Sequence, residues 1–425
     1  MELPRKTVLF ILTATASSLS ASSSHALLLS TQTSPPVHAR RGAKYLNGLV
    51  RYNATEILSP EQLQAMAHEQ SKRSPGSLRY QSSWRHWCEK SLDAIRFQLS
   101  QNLPHPADAD AFGTLFYNLG TAADRGEMPS FADPGSRSGY ALEFFCRARL
   151  LADLLFDKCS PRTPGTEEGA GKGEQNDVLY EKLKHCTDNP KVNSIPRSIH
   201  MVSLGGGPGY DYVGLLLADM FGNSGYGKTT LHGTVFDFEE GWHDLVDAMN
   251  TAISLALPND NPSTLSWGGS CDITKPLKDL SNAACRKMVP TTDIFVCQYC
   301  VAENANRLRD SNFVFFFELF EQASNGTMFV FTEVTPRVWP DIVDILLQRE
   351  DQEQGFHVKF TRGGRKYGQQ MIVQKQENAT LQPEELAVAE KFRDLQEVHQ
   401  RKITNGFRRQ PRKIRGKKLS INAIK

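Results

Sequence analysis

The stretch Ser198–Val213, SIHMVSLGGGPGYDYV, decides how the chain is read: an apolar run stops at a cluster of glycines and restarts as an amphipathic segment. Ile199, Met201, Val202 and Leu204 suit a strand buried on both faces of a parallel sheet. Gly205, Gly207 and Gly209 permit a sharp turn, close approach of the backbone to a ligand, and a helix start that points at it. Strand, tight loop and helix in this order predict the first unit of an open α/β sheet with a nucleotide-like ligand at its carboxyl end. Glycine-rich turns are common, so the residues that follow carry the reading.

An apolar helix pattern (Val213, Leu215, Leu216, Leu217, Met220) leads to a second strand, LHGTVFDF, whose Asp237 lies 28 residues beyond Gly209. That is the place of a ribose-binding carboxylate. A third run, STLSWGGSCDI, reaches Asp272, and a fourth, TDIFVCQYC, ends in polar residues. Each strand therefore delivers polar groups to its carboxyl end, where open α/β sheets bind ligands.

On these residues the chain, from roughly Ile199 to Lys375, resembles the class I, Rossmann-like S-adenosylmethionine-dependent methyltransferases. The resemblance implies an α/β fold with a seven-stranded, mostly parallel sheet and S-adenosyl-L-methionine as cofactor. It puts Gly205, Gly207 and Gly209 around the methionine end, Asp237 on the ribose hydroxyls, Asp272 on the adenine amino group and Phe238 against the adenine ring. The family usually has an acid two residues before the first glycine; Ser203 stands there, which passes contact with the methionine amino group to backbone or to Asp211. A dehydrogenase would need G-x-G-x-x-G and an acid about 20 residues on; GGGPGYD has no glycine at the third place.

Methyl transfer is an in-line displacement in which a protein aligns the reactants and removes a proton if the nucleophile carries one. The substrate-facing motif of the family falls on Cys297-Gln298-Tyr299-Cys300, and Gln298 and Tyr299 are expected as hydrogen-bonding positioners, with a nitrogen or oxygen as acceptor. Glu303 and Asn304 follow one turn later, and Glu333 and His243 are further candidates. Cys297 and Cys300 form a C-x-x-C without a second pair or histidines to complete a zinc site, so they read as packed thiols and no metal is expected. Gly222–Thr229, GNSGYGKT, matches a phosphate-binding loop letter for letter, but it follows a helix and precedes a strand, the reverse of the order that chemistry needs.

At 425 residues and 40% hydrophobic content the chain can bury one large core or two smaller ones. Residues 1–50 read as a targeting segment: Arg5 and Lys6, then TVLFILTATA, a Ser/Ala-rich stretch, and an acid-free part with Arg40, Arg41 and Lys44. Its apolar core is far short of the roughly 20 residues that span a bilayer, so stable membrane insertion is not expected. Import into a plastid or mitochondrion is expected, with secretion as the alternative. Residues 51–159 read as a helical N-terminal domain, with aromatics Trp84, Trp87, Phe97, Phe112, Phe116, Tyr117, Phe144 and Phe145 assigned to its core, and residues 160–178 as a linker. Residues 179–380 form the Rossmann-like domain, and 381–425 a charged surface helix and a tail; residues 401–425 hold ten Lys/Arg and no acid. That tail favours RNA as the partner carrying the acceptor, against a small metabolite. A non-catalytic binding module is the remaining class.

Overall fold

A computed structural model describes residues 57–71, 78–125, 130–152, 197–222, 229–257, 263–350, 354–361 and 369–404, all within one compact unit, Val37–Lys425. The targeting segment, the linker and the tail beyond residue 404 lie outside the described residues. So does the inside of GNSGYGKT, although its flanks are the helix and the strand expected. Among the described residues no helix is long and apolar enough to cross a membrane.

In chain order, α1 (Pro60–Ser71), α2 (Leu78–Gln101), α3 (Ala109–Arg125) and α4 (Pro134–Glu143) precede β1 (Arg197–Leu204). Then come α5 (Tyr210–Gly222), β2 (Thr229–Asp237), α6 (His243–Ala256), β3 (Thr264–Ser270), α7 (Ala283–Met288) and β4 (Ile294–Gln298). The remainder is α8 (Ala305–Asp310), α9 (Val314–Gln322), β5 (Met328–Glu333), α10 (Trp339–Glu350), β6 (Phe356–Thr361), β7 (Gln369–Lys375) and α11 (Pro383–Thr404). The seven strands make one sheet in the order β3-β2-β1-β4-β5-β7-β6. Only the pairings of β7, with β5 and with β6, are antiparallel. Strand order reverses between β1 and β4, and the crevice at their carboxyl ends is where such sheets bind ligands.

Two-residue alternation sends neighbouring side chains to opposite faces. In β5, Met328 and Val330 join one hydrophobic cluster while Phe329 and Phe331 join the other. The second cluster is aromatic: Phe295 stacks on Phe329 with centroids 5.3 Å apart, and Phe320 meets Phe329 edge-on at 4.8 Å. The first cluster joins the N-terminal helices to the sheet, running from Leu63, Trp87 and Ile95 through Ala148 and Leu151 to Val213, Met249 and Ile294. Helices α1 to α4 thus contribute side chains to a core that they share with the sheet.

Local signals act as their chemistry requires. Ser59 and Gln62 cap α1 reciprocally, Ser59 N–H donating to Gln62 Oε1 at 2.8 Å and Gln62 N–H to Ser59 Oγ at 3.4 Å. Asp133 accepts from Ser136 N–H at 2.6 Å and caps α4, which has proline in its first turn. Helix α4 ends at Glu143 with Phe144 as its C-cap, and after a turn residues 147–152 are helical again. Of the aromatics assigned to core, Trp87, Phe112 and Phe145 are buried, but Phe116 and Tyr117 stand about half exposed. Phe116 still packs on Phe112 and Phe144, with ring centroids 6.1 and 6.0 Å apart.

Candidate active site

A cleft of about 280 Å³ opens at the carboxyl ends of β1 to β4. Gly205, Gly206, Gly207, Asp211, Asp237, Phe238, Asp272, Gln298 and Tyr299 all line it. From outside the sheet come Phe131, Tyr140 and Arg147, and from the segment after β4 come Glu303 and Asn304.

The glycine loop is held by backbone. Gly205 N–H donates to Phe236 O at 2.8 Å, and Gly205 and Gly207 have φ of 64° and 49°. A Cβ on Gly205 would lie 2.5 Å from Cys300 Sγ, so the residue is required by space as well as by conformation. Gly206 was not singled out in the sequence, yet a Cβ there would come within 2.0 Å of Ser203 Oγ. Two residues expected at the cofactor, Ser203 and Gly209, do not line the cleft. Ser203 is fully buried and donates to Asp211 Oδ2 at 2.5 Å, so it acts through that carboxylate. Gly209, φ 91°, closes the turn with its N–H on Gly206 O at 3.0 Å and packs where a Cβ would strike Leu265.

Asp211 is buried and takes a second hydrogen bond from Gln298 Nε2. Burial pushes its carboxyl up to about 6 against those two donors. Gln298 lines the cleft, and its Oε1 is left buried with no partner among the described residues. Asp237 accepts Gly207 N–H on Oδ2 at 3.0 Å and Glu239 N–H on Oδ1 at 3.1 Å, which ties the loop after β2 to the glycine loop. Burial raises it to about 6 as well, opposed by these donors and helped by the Glu239 charge. Asp272 is fixed by its own turn, accepting from Thr274 N–H at 3.0 Å and Thr274 Oγ at 2.6 Å, with Lys275 Nζ 3.8 Å from Oδ2.

The opposite end is built from side chains. The Arg147 guanidinium lies over the rings of Tyr299 and Phe144, 4.2 and 4.4 Å from their centroids, and donates to the Tyr140 hydroxyl. Tyr299 has φ 60°, its N–H bound to Thr332 O at 2.7 Å, and burial pushes its phenol up to about 12. A non-glycine residue held at positive φ at a strand end is a strained geometry that the neighbouring β5 backbone maintains. Glu303 is pushed up to about 7 by burial, opposed by Arg147 and reinforced by Asp237. Behind it Glu333 is buried, accepts Ala302 N–H on Oε1 at 2.9 Å, has Oε2 unpartnered among the described residues, and is pushed up to about 8. Glu333 does not line the cleft, and His243 is exposed away from it.

The thiols of Cys297 and Cys300 hydrogen-bond to each other. That contact and burial hold Cys300 well above the usual thiol range, which disfavours a nucleophilic thiolate. The main omission of the sequence reading is Arg147. Its only local signal was one of two arginines, with Arg149, beside the aromatics of a helical segment far from the glycine loop. Arg137 was missed too: it is buried, donates to Phe131 O at 2.6 Å and Ala132 O at 2.9 Å, and packs on Gly241 just beyond β2. It thereby locks the Phe131 segment over the cleft.

No family model and no curated protein matches the chain. Among solved structures, an O-methyltransferase family protein from Burkholderia thailandensis is similar at 12% identity, covering 66% of this chain and 76% of that one, TM-score 0.35. An S-adenosylmethionine-dependent methyltransferase from Methanosarcina mazei is similar at 13% identity over 44% of this chain and 95% of its own, TM-score 0.28. The N-methyltransferase NodS from Bradyrhizobium japonicum is similar at 13% identity, covering 48% and 98%, TM-score 0.24. Likenesses this distant decide nothing about the reaction, which has to be read from the cleft itself.

Proposed function

We propose that the protein is an S-adenosylmethionine-dependent methyltransferase acting on a nitrogen or oxygen acceptor. The observation that carries this reading is the charge balance of the cleft: among the described residues, Asp211, Asp237, Glu239, Asp272 and Glu303 line it against the single cation Arg147. An acid-rich, partly desolvated cleft favours a cationic ligand, and a sulfonium that also bears an ammonium is one. The pyrophosphate of a nicotinamide dinucleotide would meet these carboxylates with like charge, which argues against the oxidoreductase reading. The residues present fit the cofactor: an orphaned buried acceptor on Gln298, a carboxylate on Asp211, a backbone-fixed acid after β2 and another after β3.

In this reading Asp211 and Gln298 hold the ammonium, Asp237 the ribose hydroxyls and Asp272 the adenine amino group, with Phe238 against its ring. When bound, the cofactor supplies an electrophilic methyl group on sulfur. The chain's part is to align the acceptor and take its proton. Tyr299, immobilised by its backbone and by Arg147, supplies a rigid wall for positioning. Glu303, near neutrality and facing the cleft, is matched to accept a proton from an O–H or N–H nucleophile. A base of this kind favours an enzyme over a binding module. The ten cations of residues 401–425 support RNA as the carrier of the acceptor, since clustered Lys/Arg bind phosphates without regard to sequence.

The test is calorimetry with the cofactor and with its demethylated product, followed by transfer of a labelled methyl into organellar RNA or metabolite extract. Asp237→Ala should weaken cofactor binding by about 2–3 kcal/mol, the scale of removing a charged hydrogen-bond partner. Unchanged affinity in that variant would remove the assignment.

A further inference from the structure

Glu303 lines the cleft, yet nothing grips its carboxyl: among the described residues it accepts no hydrogen bond, and only burial and the charges of Arg147 and Asp237 act on it. Where it points is therefore set by the backbone that carries it, the turn of residues 300–304 that follows β4. Both ends of that turn are tied. Asn304 donates twice to Cys300 O, from its N–H at 3.2 Å and from Nδ2 at 2.9 Å. At the start of the turn, Glu333 from the end of the neighbouring strand β5 takes the N–H groups of Val301 and Ala302, the latter on Oε1 at 2.9 Å. Glu333 is fully buried, does not line the cleft, and has Oε2 without a partner among the described residues. It touches the chemistry only through the backbone that it holds.

We propose that Glu333 is the positioning residue for Glu303: it fixes the backbone of Val301 and Ala302 and so keeps the Glu303 carboxylate facing the cleft. The inference rests on the methyltransferase reading and deepens it by a second acid behind the base. Glu333 does this while it keeps its proton. Burial pushes its carboxyl up to about 8, opposed by the Ala302 and Val301 N–H groups and by Arg147 and reinforced by Glu303. The other titratable groups that its charge reaches are Cys297 on β4 and Tyr299 just after it. Once ionised, Glu333 is a desolvated carboxylate with one oxygen unpartnered beside a second carboxylate, and opening of the turn to water relieves it. Glu303, pushed up to about 7, must by contrast be ionised to act as base. The turn is competent where Glu303 has lost its proton and Glu333 has not.

The experiment compares the full-length wild type with Glu333→Gln and Glu333→Leu. Transfer of a labelled methyl from S-adenosylmethionine into the RNA or metabolite extract should rise in the wild type toward pH of about 7 and fall above about 8. Glu333→Gln, which keeps an oxygen for the two N–H groups and cannot ionise, should hold turnover within about threefold and lose the alkaline fall. Glu333→Leu, which removes the acceptor, should lower turnover about 10- to 100-fold, with S-adenosylhomocysteine affinity in calorimetry within about threefold of wild type. Hydrogen exchange of residues 300–304 needs no acceptor and decides where an extract supplies none or Glu333→Leu does not fold. At pH of about 9 it should run about tenfold faster in the wild type than in Glu333→Gln. Equal exchange in the two chains, an alkaline fall that survives in Glu333→Gln, or full turnover in Glu333→Leu would overturn the proposal and leave the cofactor assignment standing. Failure of the wild-type chain to bind S-adenosylhomocysteine would instead remove the methyltransferase reading, whatever the exchange shows.

Discussion

The two ends of the cleft are made by different means. At the end formed by the loops after β1, β2 and β3, backbone does most of the holding: Gly205 on Phe236 O, Asp237 clamped by the N–H groups of Gly207 and Glu239, Asp272 in its own turn. At the other end Arg147, Tyr140, Phe144, Tyr299 and Glu303 arrive from two distant parts of the chain and hold each other by ring, guanidinium and charge. The first end is set by chain geometry and tolerates few residue types. The second is set by side-chain packing, so its residue types can vary without changing the fold.

Substitutions at each end, and a deletion outside both, would break or sharpen this contrast. Glu303→Gln, which keeps the shape of the side chain and removes the base, should lower turnover about 10²- to 10⁴-fold. Cofactor affinity should stay within a few-fold, and full turnover in a methyl-transfer assay would remove Glu303 from the proton transfer. At the backbone-built end, Gly205→Ala should destabilise the fold by about 1–3 kcal/mol and abolish cofactor binding, since its φ is 64° and the new Cβ would meet Cys300 Sγ at 2.5 Å. Gly326→Ala is the control, because Gly326 also has positive φ (84°) but nothing lies within 4 Å of its Cβ position. It should cost only the backbone strain, about 1 kcal/mol, and leave binding intact, as thermal melts and calorimetry would record.

Glu333 makes the stability of the fold depend on pH. Its carboxyl is raised from the ordinary 4.5 to about 8 in the fold. Between those values the native state keeps a proton that the unfolded chain has released. Stability therefore falls as pH rises through that window, by up to about 1.4 kcal/mol per pH unit from this group. Glu333→Gln should remove this contribution and raise the melting temperature more at pH 8 than at pH 5. A pH-independent offset would mean that Glu333 is ionised in the fold. The smallest effect on the cleft is expected from deleting residues 405–425. Cofactor affinity should not change, while the salt dependence of RNA binding should flatten by about 0.7 logarithmic units per decade for each phosphate that the tail had neutralised. An unaltered slope would separate the tail from RNA and favour a small-metabolite acceptor.

The backbone-built end was legible in the chain because its requirements are local. An apolar run, glycines at fixed spacing and a polar group at the end of each of the next three strands place Gly205, Gly207, Asp237, Asp272 and Gln298 in one cleft, and all of them line it. Periodicity likewise marked the strands and most helices, since burial on a sheet imposes a period of two and on a helix one of 3.6. What folding alone settled was which distant groups meet. Ser203 turned toward Asp211, Gln298 became the partner of that same carboxylate, and Phe116 and Tyr117 stayed about half exposed. Arg147 could not be read ahead of the fold, because nothing within its own helical segment distinguishes a cation that stacks on the ring of Tyr299, far along the chain. Its neighbours, and the burial that lifts Glu303 and Glu333 toward neutrality, exist only once the N-terminal helices share a core with the sheet: desolvation and side-chain contact depend on distance in space, and local sequence encodes only distance along the chain.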